Sequence, residues 1–283
     1  MARDQNLMHI FTTSQGTLEY RIVGNGNKTA IIFPGGHMDA SVNLGEDFFI
    51  KRGYQVITLS RPGYGKTSLA TGPSPDSFAD TVAQLLESLN IHKIVAVGIS
   101  AGGRSAVRLA AKYPRVVEKL ILQCATSFMP WPDAQTRRVA RIAFNPSMEK
   151  FTWQIMRRIL KASPRAGLKM MLGNMSTLNP DDVIDSLSKG QTDGLINIFA
   201  HLQSGKGFMN DLAQTSGSAK DVHVPTLIIH SKYDKSVSLE HAKKLHSEIA
   251  GSRLFITTAE SHMIWFSTQY DQIQKEMGAF LDF

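Results

Sequence analysis

Apolar residues along this chain fall into two rhythms. In the first, short runs end at glycine, proline or asparagine. Leu7–Phe11 and Leu18–Val23 read as two opening strands, with a turn at Gly24–Asn27 after them. Ala30–Phe33 stops at Pro34-Gly35-Gly36, and Tyr54–Leu59 stops at Arg61-Pro62-Gly63. Lys93–Val97 and Val116–Leu122 are two more strands. Between them the apolar period lengthens to that of helices at Asp76–Leu89, capped by Asp76 or Ser74, and at Ala101–Lys112, ended by Pro114. Strands alternating with helices predict parallel βαβ units.

Residues 125–220 follow the second rhythm. They read as helices and loops, with Phe151, Ile155, Ile159 and Leu160 at helical spacing and Arg157, Arg158 and Lys161 among them. Strands then return at Thr226–Ile229 and Arg253–Ile256, followed by helices at Ser238–Ile249 and Met263–Phe280. The expected layout is an α/β core of residues 1–124 and 221–283, interrupted by a helical insertion at 125–220. That stretch is too long for a loop.

Composition excludes several classes. With 42% hydrophobic and 19% charged residues in 283, the chain has the makings of an ordinary folded domain. The single cysteine, Cys124, excludes an intramolecular disulfide and an all-cysteine zinc site. No run of 18 apolar residues suits a membrane-spanning helix, and MARDQNLMHIF lacks the core of a signal peptide, so a cytoplasmic location is expected.

The charge is uneven. There are 31 Lys and Arg against 24 Asp and Glu, and the insertion carries 12 of the cations against 7 acids. From Arg137 to Lys169 nine cations meet one acid, Glu149. No nucleic-acid motif accompanies them, so a solvated helix face is expected and no nucleic-acid partner. The same stretch, beside Trp131 and Trp153, also suits a segment resting on anionic lipid.

Candidate chemistry begins at Gly98-Ile99-Ser100-Ala101-Gly102, between a strand and a helix. This is the G-x-S-x-G nucleophile elbow. A serine on so sharp a turn needs small neighbours, and the turn aims the Ala101 N–H at the space the serine faces. The hydroxyl needs a base. Of nine histidines His262 is best placed, in a loop after a strand, and Asp234, after Thr226–Ile229, is the candidate partner that orients it. Gly36, after Ala30–Phe33, offers a second oxyanion N–H that Pro34 cannot supply. Gly65-Lys66-Thr67 is not a phosphate loop, because Ser60 stands where that motif needs glycine.

These residues resemble the α/β-hydrolase superfamily, in the branch with a helical cap after the sixth strand. The elbow, the order Ser100, Asp234, His262, the Pro34-Gly35-Gly36 turn and the loop Ser60–Ser68 carry the likeness. Three departures are Pro34-Gly35 for the usual His-Gly, Ser261 for the glycine before the histidine, and Arg104 at an apolar position. The resemblance implies a mostly parallel eight-stranded sheet flanked by helices. It also implies a Ser100–His262–Asp234 triad with Gly36 and Ala101 as oxyanion donors. Expected, then, is a serine hydrolase needing no cofactor or metal and cleaving a small or medium ester or related acyl compound. Met129 and Trp131 at the start of the cap are candidate substrate contacts. So is His37, for which a surface position is the plainer alternative. A small-molecule receptor or signalling partner that keeps the triad is the alternative function.

Overall fold

The computed structural model describes residues 8–214 and 216–283. Leu7, the start of the first expected strand, and Thr215 lie outside them. Strands β1 (Met8–Thr13), β2 (Gly16–Val23) and β3 (Lys28–Phe33) lead to helix α1 (Glu46–Ile50), β4 (Tyr54–Leu59), α2 (Pro75–Ser88), β5 (Ile94–Ile99), α3 (Gly103–Lys112) and β6 (Val117–Gln123). Six helices follow: α4 (Ala134–Ala143), α5 (Glu149–Ala162), α6 (Pro164–Leu172), α7 (Pro180–Ser186), α8 (Lys189–His201) and α9 (Gly207–Ala213). The chain closes with β7 (Thr226–Ser231), α10 (Leu239–Glu248), β8 (Arg253–Thr257) and α11 (Tyr270–Asp282).

The eight strands form one sheet in the order β1-β2-β4-β3-β5-β6-β7-β8. Only β2 pairs antiparallel, with β1 and β4; the other pairings are parallel. Parallel strands are covered on both faces, which is why β5 reads as an unbroken buried run. Alternate residues split between two cores. Ile31 and Phe33 join α2, α3 and α10 on one face, through Phe78, Leu109 and Leu245. Ala30 and Ile32 join α1 and α11 on the other, through Phe49 and Met277. Trp153, Leu168 and Phe199 belong to this second core, so the inserted helices share the sheet's apolar interior.

Local chemistry moved some boundaries. Helix α2 starts at Pro75, and Ser74 caps it in a reciprocal box with Ser77. The expected helix Met263–Phe280 is broken: a 3-10 turn at Ile264–Phe266 ends at extended Ser267. Hydrogen bonds explain the break, since Ser267 Oγ accepts from Gln269 N–H at 2.9 Å and Thr268 bonds Glu260. The helix expected from Ala101 opens as a 3-10 turn at Ser100–Gly102. Helix α1, five residues long, is too short to show a period. No helix among the described residues is long and apolar enough to cross a membrane.

A buried ion pair fixes the loop after β3. Arg21 on β2 donates twice to Glu46, at 2.6 and 3.1 Å, and once to Ala40 O at 2.7 Å; Thr58 on β4 donates to Glu46 at 2.6 Å. Glu46→Ala strands the guanidinium, so a loss of about 3–5 kcal/mol is expected in urea unfolding. Arg21→Met with Glu46→Leu should recover much of it.

Candidate active site

Strands β3, β5, β7 and β8 deliver their loops to one edge of the sheet. Phe33 lies in register with Gly98, so Pro34-Gly35 comes alongside Ile99-Ser100. Ser100 has φ of 50°, a left-handed conformation unusual for serine. The flanking glycines make that turn possible. A Cβ on Gly102 would sit 2.1 Å from Phe33 O, and one on Gly98 2.8 Å from Gly103 Cα.

Asp234 and His262 come together in the loops after β7 and β8. His262 Nδ1 lies 2.6 Å from Asp234 Oδ2, and Val237 N–H donates to Oδ1 at 2.9 Å. The carboxylate is fully buried, so His262 donates from Nδ1 and keeps Nε2 as its acceptor. The helical insertion clamps both loops. Met175 O accepts His262 N–H at 2.9 Å, Tyr233 O accepts Thr177 N–H at 2.9 Å, and Ser176 Oγ donates to Glu260 O at 2.5 Å.

Two more groups flank this carboxylate. Cys124, His230 and Asp234 lie within 4.8 Å of one another. His230 Nε2 bonds Val237 O at 2.9 Å, leaving Nδ1 buried without a partner, and burial pushes its pKa down. Burial first and Asp234 second push the Cys124 thiol up. A protonated thiol beside a carboxylate with both oxygens engaged is a poor metal cradle.

The glycine loop is anchored from behind. Arg61 donates from Nε to Pro34 O at 2.7 Å and from Nη2 to Gly35 O at 3.0 Å. In a trans peptide the N–H points opposite to the C=O, so the Gly36 N–H is turned away from Arg61. Asp211 on α9 meets the guanidinium with both oxygens, at 2.5 and 2.8 Å, and accepts Tyr64 Oη at 2.6 Å. Burial opposes the Arg61 charge, but Asp211 outweighs it and holds the group above its usual range.

Ser100, Gly35, Gly36 and His262 line a cavity of about 600 Å³, walled by Trp131, Phe144, Trp153 and Phe208. His37 also lines it and is half-buried. Its ring packs 3.9 Å from that of Phe208 and 4.6 Å from that of Phe144, and Nδ1 lies 2.7 Å from Ser204 Oγ. Trp131 lines it with Nε1 donating to Ser236 O at 2.7 Å. Met129 does not: it stands outside the lining, and its carbonyl accepts from Arg104 at 2.9 Å. Ala101 is absent from the lining too. Its methyl packs with Tyr64 and Phe208, while its N–H, in the first turn, has no acceptor within that turn. Arg104 is buried and donates to backbone carbonyls of Ser127, Asp211, Met129 and Gln214. Asp211 and Ser204 had no signal in the sequence; Arg61 lay in the glycine-rich loop already singled out.

The family described as alpha/beta hydrolase fold matches the chain over residues 31–267. The uncharacterized hydrolase YcgS of Bacillus subtilis is 32% identical over 277 residues, covering 96% of this chain and 97% of its own. A 2-hydroxy-6-oxononadienedioate/2-hydroxy-6-oxononatrienedioate hydrolase of Escherichia coli is 25% identical, covering 84% and 82%. A solved protein from Nakamurella multipartita superposes with a TM-score of 0.79 at 22% identity, covering 97% and 99%.

Two cavity histidines are expected to make stability pH-dependent. Burial lowers His37 to about 3 and His241 to about 4, from 6.5. As pH falls below 6.5 the unfolded chain takes up these protons first, so stability is lost down toward pH 4. The slope is up to about 1.4 kcal/mol per pH unit for each histidine. Urea midpoints measured from pH 7 to pH 5 should fall, and His241→Gln should flatten the fall. An unaltered slope would mean that His241 titrates alike in both states.

Proposed function

The chain belongs to the alpha/beta hydrolase fold family, and we propose that within it this chain is a cofactor-independent serine hydrolase cleaving a small or medium carboxylic ester or related acyl compound. One observation carries the reading: a serine held at positive φ shares an apolar cavity with a histidine whose far nitrogen is fixed by a buried carboxylate.

In this mechanism His262 Nε2 takes the Ser100 proton as Oγ attacks the acyl carbonyl. Asp234 holds the imidazole in the required tautomer and stabilises the imidazolium. The Gly36 and Ala101 N–H groups receive the oxyanion, a donor of this kind being worth about a hundred- to thousand-fold in rate. The imidazolium protonates the leaving alcohol. Water, deprotonated by the same nitrogen, then releases the acid from the acyl-serine. Arg61 acts as a positioning residue, because it sets the peptide plane that carries the Gly36 N–H.

Residues 125–220 form the cap, and with Trp131, Trp153 and Phe208 they supply the acyl wall. The wall favours a neutral acyl group over a dicarboxylate like that named for the Escherichia coli relative. Lys235 is the lysine in the lining, no arginine joins it there, and its amine is bound to Gly173 O at 2.7 Å.

A fluorophosphonate probe and p-nitrophenyl esters of increasing acyl length test this. The wild type should label and turn over, with activity falling once the chain outgrows about 600 Å³. Ser100→Ala should do neither, and Asp234→Asn should lower kcat by about ten-thousand-fold. Labelling without turnover would move the chain to the receptor class, and absence of labelling would remove Ser100 as nucleophile.

A further inference from the structure

The cap is electrostatically divided. Beyond residue 164, Arg165, Lys169 and Lys189 pair with Asp181, Asp185 and Asp193 at 2.5 to 3.3 Å. The seven cations from Arg137 to Lys161 form no salt bridge among the described residues. Glu149, the one acid among them, is buried and turned to Ser204 N–H. An unpaired cluster of one sign attracts an anionic partner.

The same stretch holds most of the exposed large hydrophobic residues among the described residues. Of nine exposed large hydrophobic residues in the described chain, five are Val139, Ile142, Met148, Phe151 and Ile155. Ile142 is 70% exposed and Phe151 53%. Helix α4 is held down by little, since Ala140 is its only buried residue. Thr152 Oγ1 donates to Ala143 O at 2.7 Å and joins the end of α4 to the first turns of α5.

This surface borders the cavity. A second hollow, of about 300 Å³, is lined by Arg137, Arg138 and Arg141, and shares Pro130, Pro132 and Asp133 with the lining of the large one. Arg137 Nε is buried there without a partner. Asp133 does not neutralise the arginines in a salt bridge, because its carboxylate caps α4, accepting Gln135 and Thr136 N–H at 3.0 Å.

We propose that the α4–α5 face docks this protein on an anionic phospholipid bilayer. Ile142 and Phe151 enter the acyl boundary, Arg138 and Arg141 meet headgroup phosphates, and the mouth of the cavity opens onto the membrane. Exposed apolar side chains ringed by cations are the signature of such a surface. A second copy of this face suits it less, because a twofold contact brings the same cations together. Duplex nucleic acid would match the charge but leave the apolar residues in water. Docking does not depend on the chemistry proposed at Ser100.

Sedimentation of the full chain with vesicles tests it. One set is phosphatidylcholine alone; the other contains about one-third phosphatidylglycerol. The chain should bind the second, bind the first at least about tenfold more weakly, and dissociate as salt rises. Arg138→Glu with Arg141→Glu, and separately Ile142→Ser with Phe151→Ser, should each weaken binding at least about tenfold. Neither pair lines the large cavity, so hydrolysis of a soluble ester and the melting temperature should stay unchanged. Ser100→Ala should bind like the wild type, which separates this result from the fate of the hydrolase reading. The proposal is overturned if anionic vesicles do not bind, if both vesicles bind equally, or if binding survives both variant pairs. A dimer in solution that Ile142→Ser with Phe151→Ser dissolves, or duplex DNA bound in place of vesicles, would equally overturn it.

Discussion

Arg61 and Asp211 are sealed from water together, and their ion pair joins three distant parts of the chain. The arginine comes from the loop after β4, the carboxylate from α9, and the backbone they steady from the loop after β3. Neither partner is more than 4% exposed in its side chain, so removing either leaves a bare buried charge. Tyr64 completes the carboxylate's shell. Folding of the insertion is thereby a condition for the glycine loop to hold its shape, although more than a hundred residues separate Asp211 from that loop.

The strands were legible because a parallel sheet buries both faces and writes itself as short apolar runs. The eight expected strands are the eight observed, each shifted by a few residues at most, with Leu7 outside the described chain. The tight turn around Ser100 was legible too, since Gly98 and Gly102 answer to backbone atoms a short distance away. What escaped reading depends on partners remote in sequence. Asp211 is an isolated acid in a basic segment, and nothing local marks it as the counter-ion of Arg61. His37 looked exposed because its cover comes from Phe144, Trp153 and Phe208, all beyond residue 140. Met129 shared the composition of a pocket residue, yet its carbonyl belongs to Arg104. The last helix failed where side-chain hydroxyls at Ser267 and Thr268 outcompeted the helical pattern.

Polar groups near the carboxylate of Asp234 divide their work by protonation. His230 is kept neutral by burial and spends Nε2 on Val237 O, while Cys124 stays a thiol. His230 and Cys124 thus add no charge beside the carboxylate, and the ring of His262 is its direct partner. In so dry a setting one direct partner dominates the electrostatics of the site.

Met175 lends its carbonyl to the backbone N–H of His262, and its neighbours Ser176 and Thr177 hold the loops of Glu260 and Tyr233. The inserted helices are therefore stitched into the very loops they overhang. Grafting all of 125–220 from a relative would alter the histidine's seat along with the pocket wall. A smaller graft avoids this: Asp133–Phe144 is a cassette with one buried anchor on its helix and no stitch to either loop. Changes in substrate range can accumulate in that short segment without retuning the chemistry beneath it.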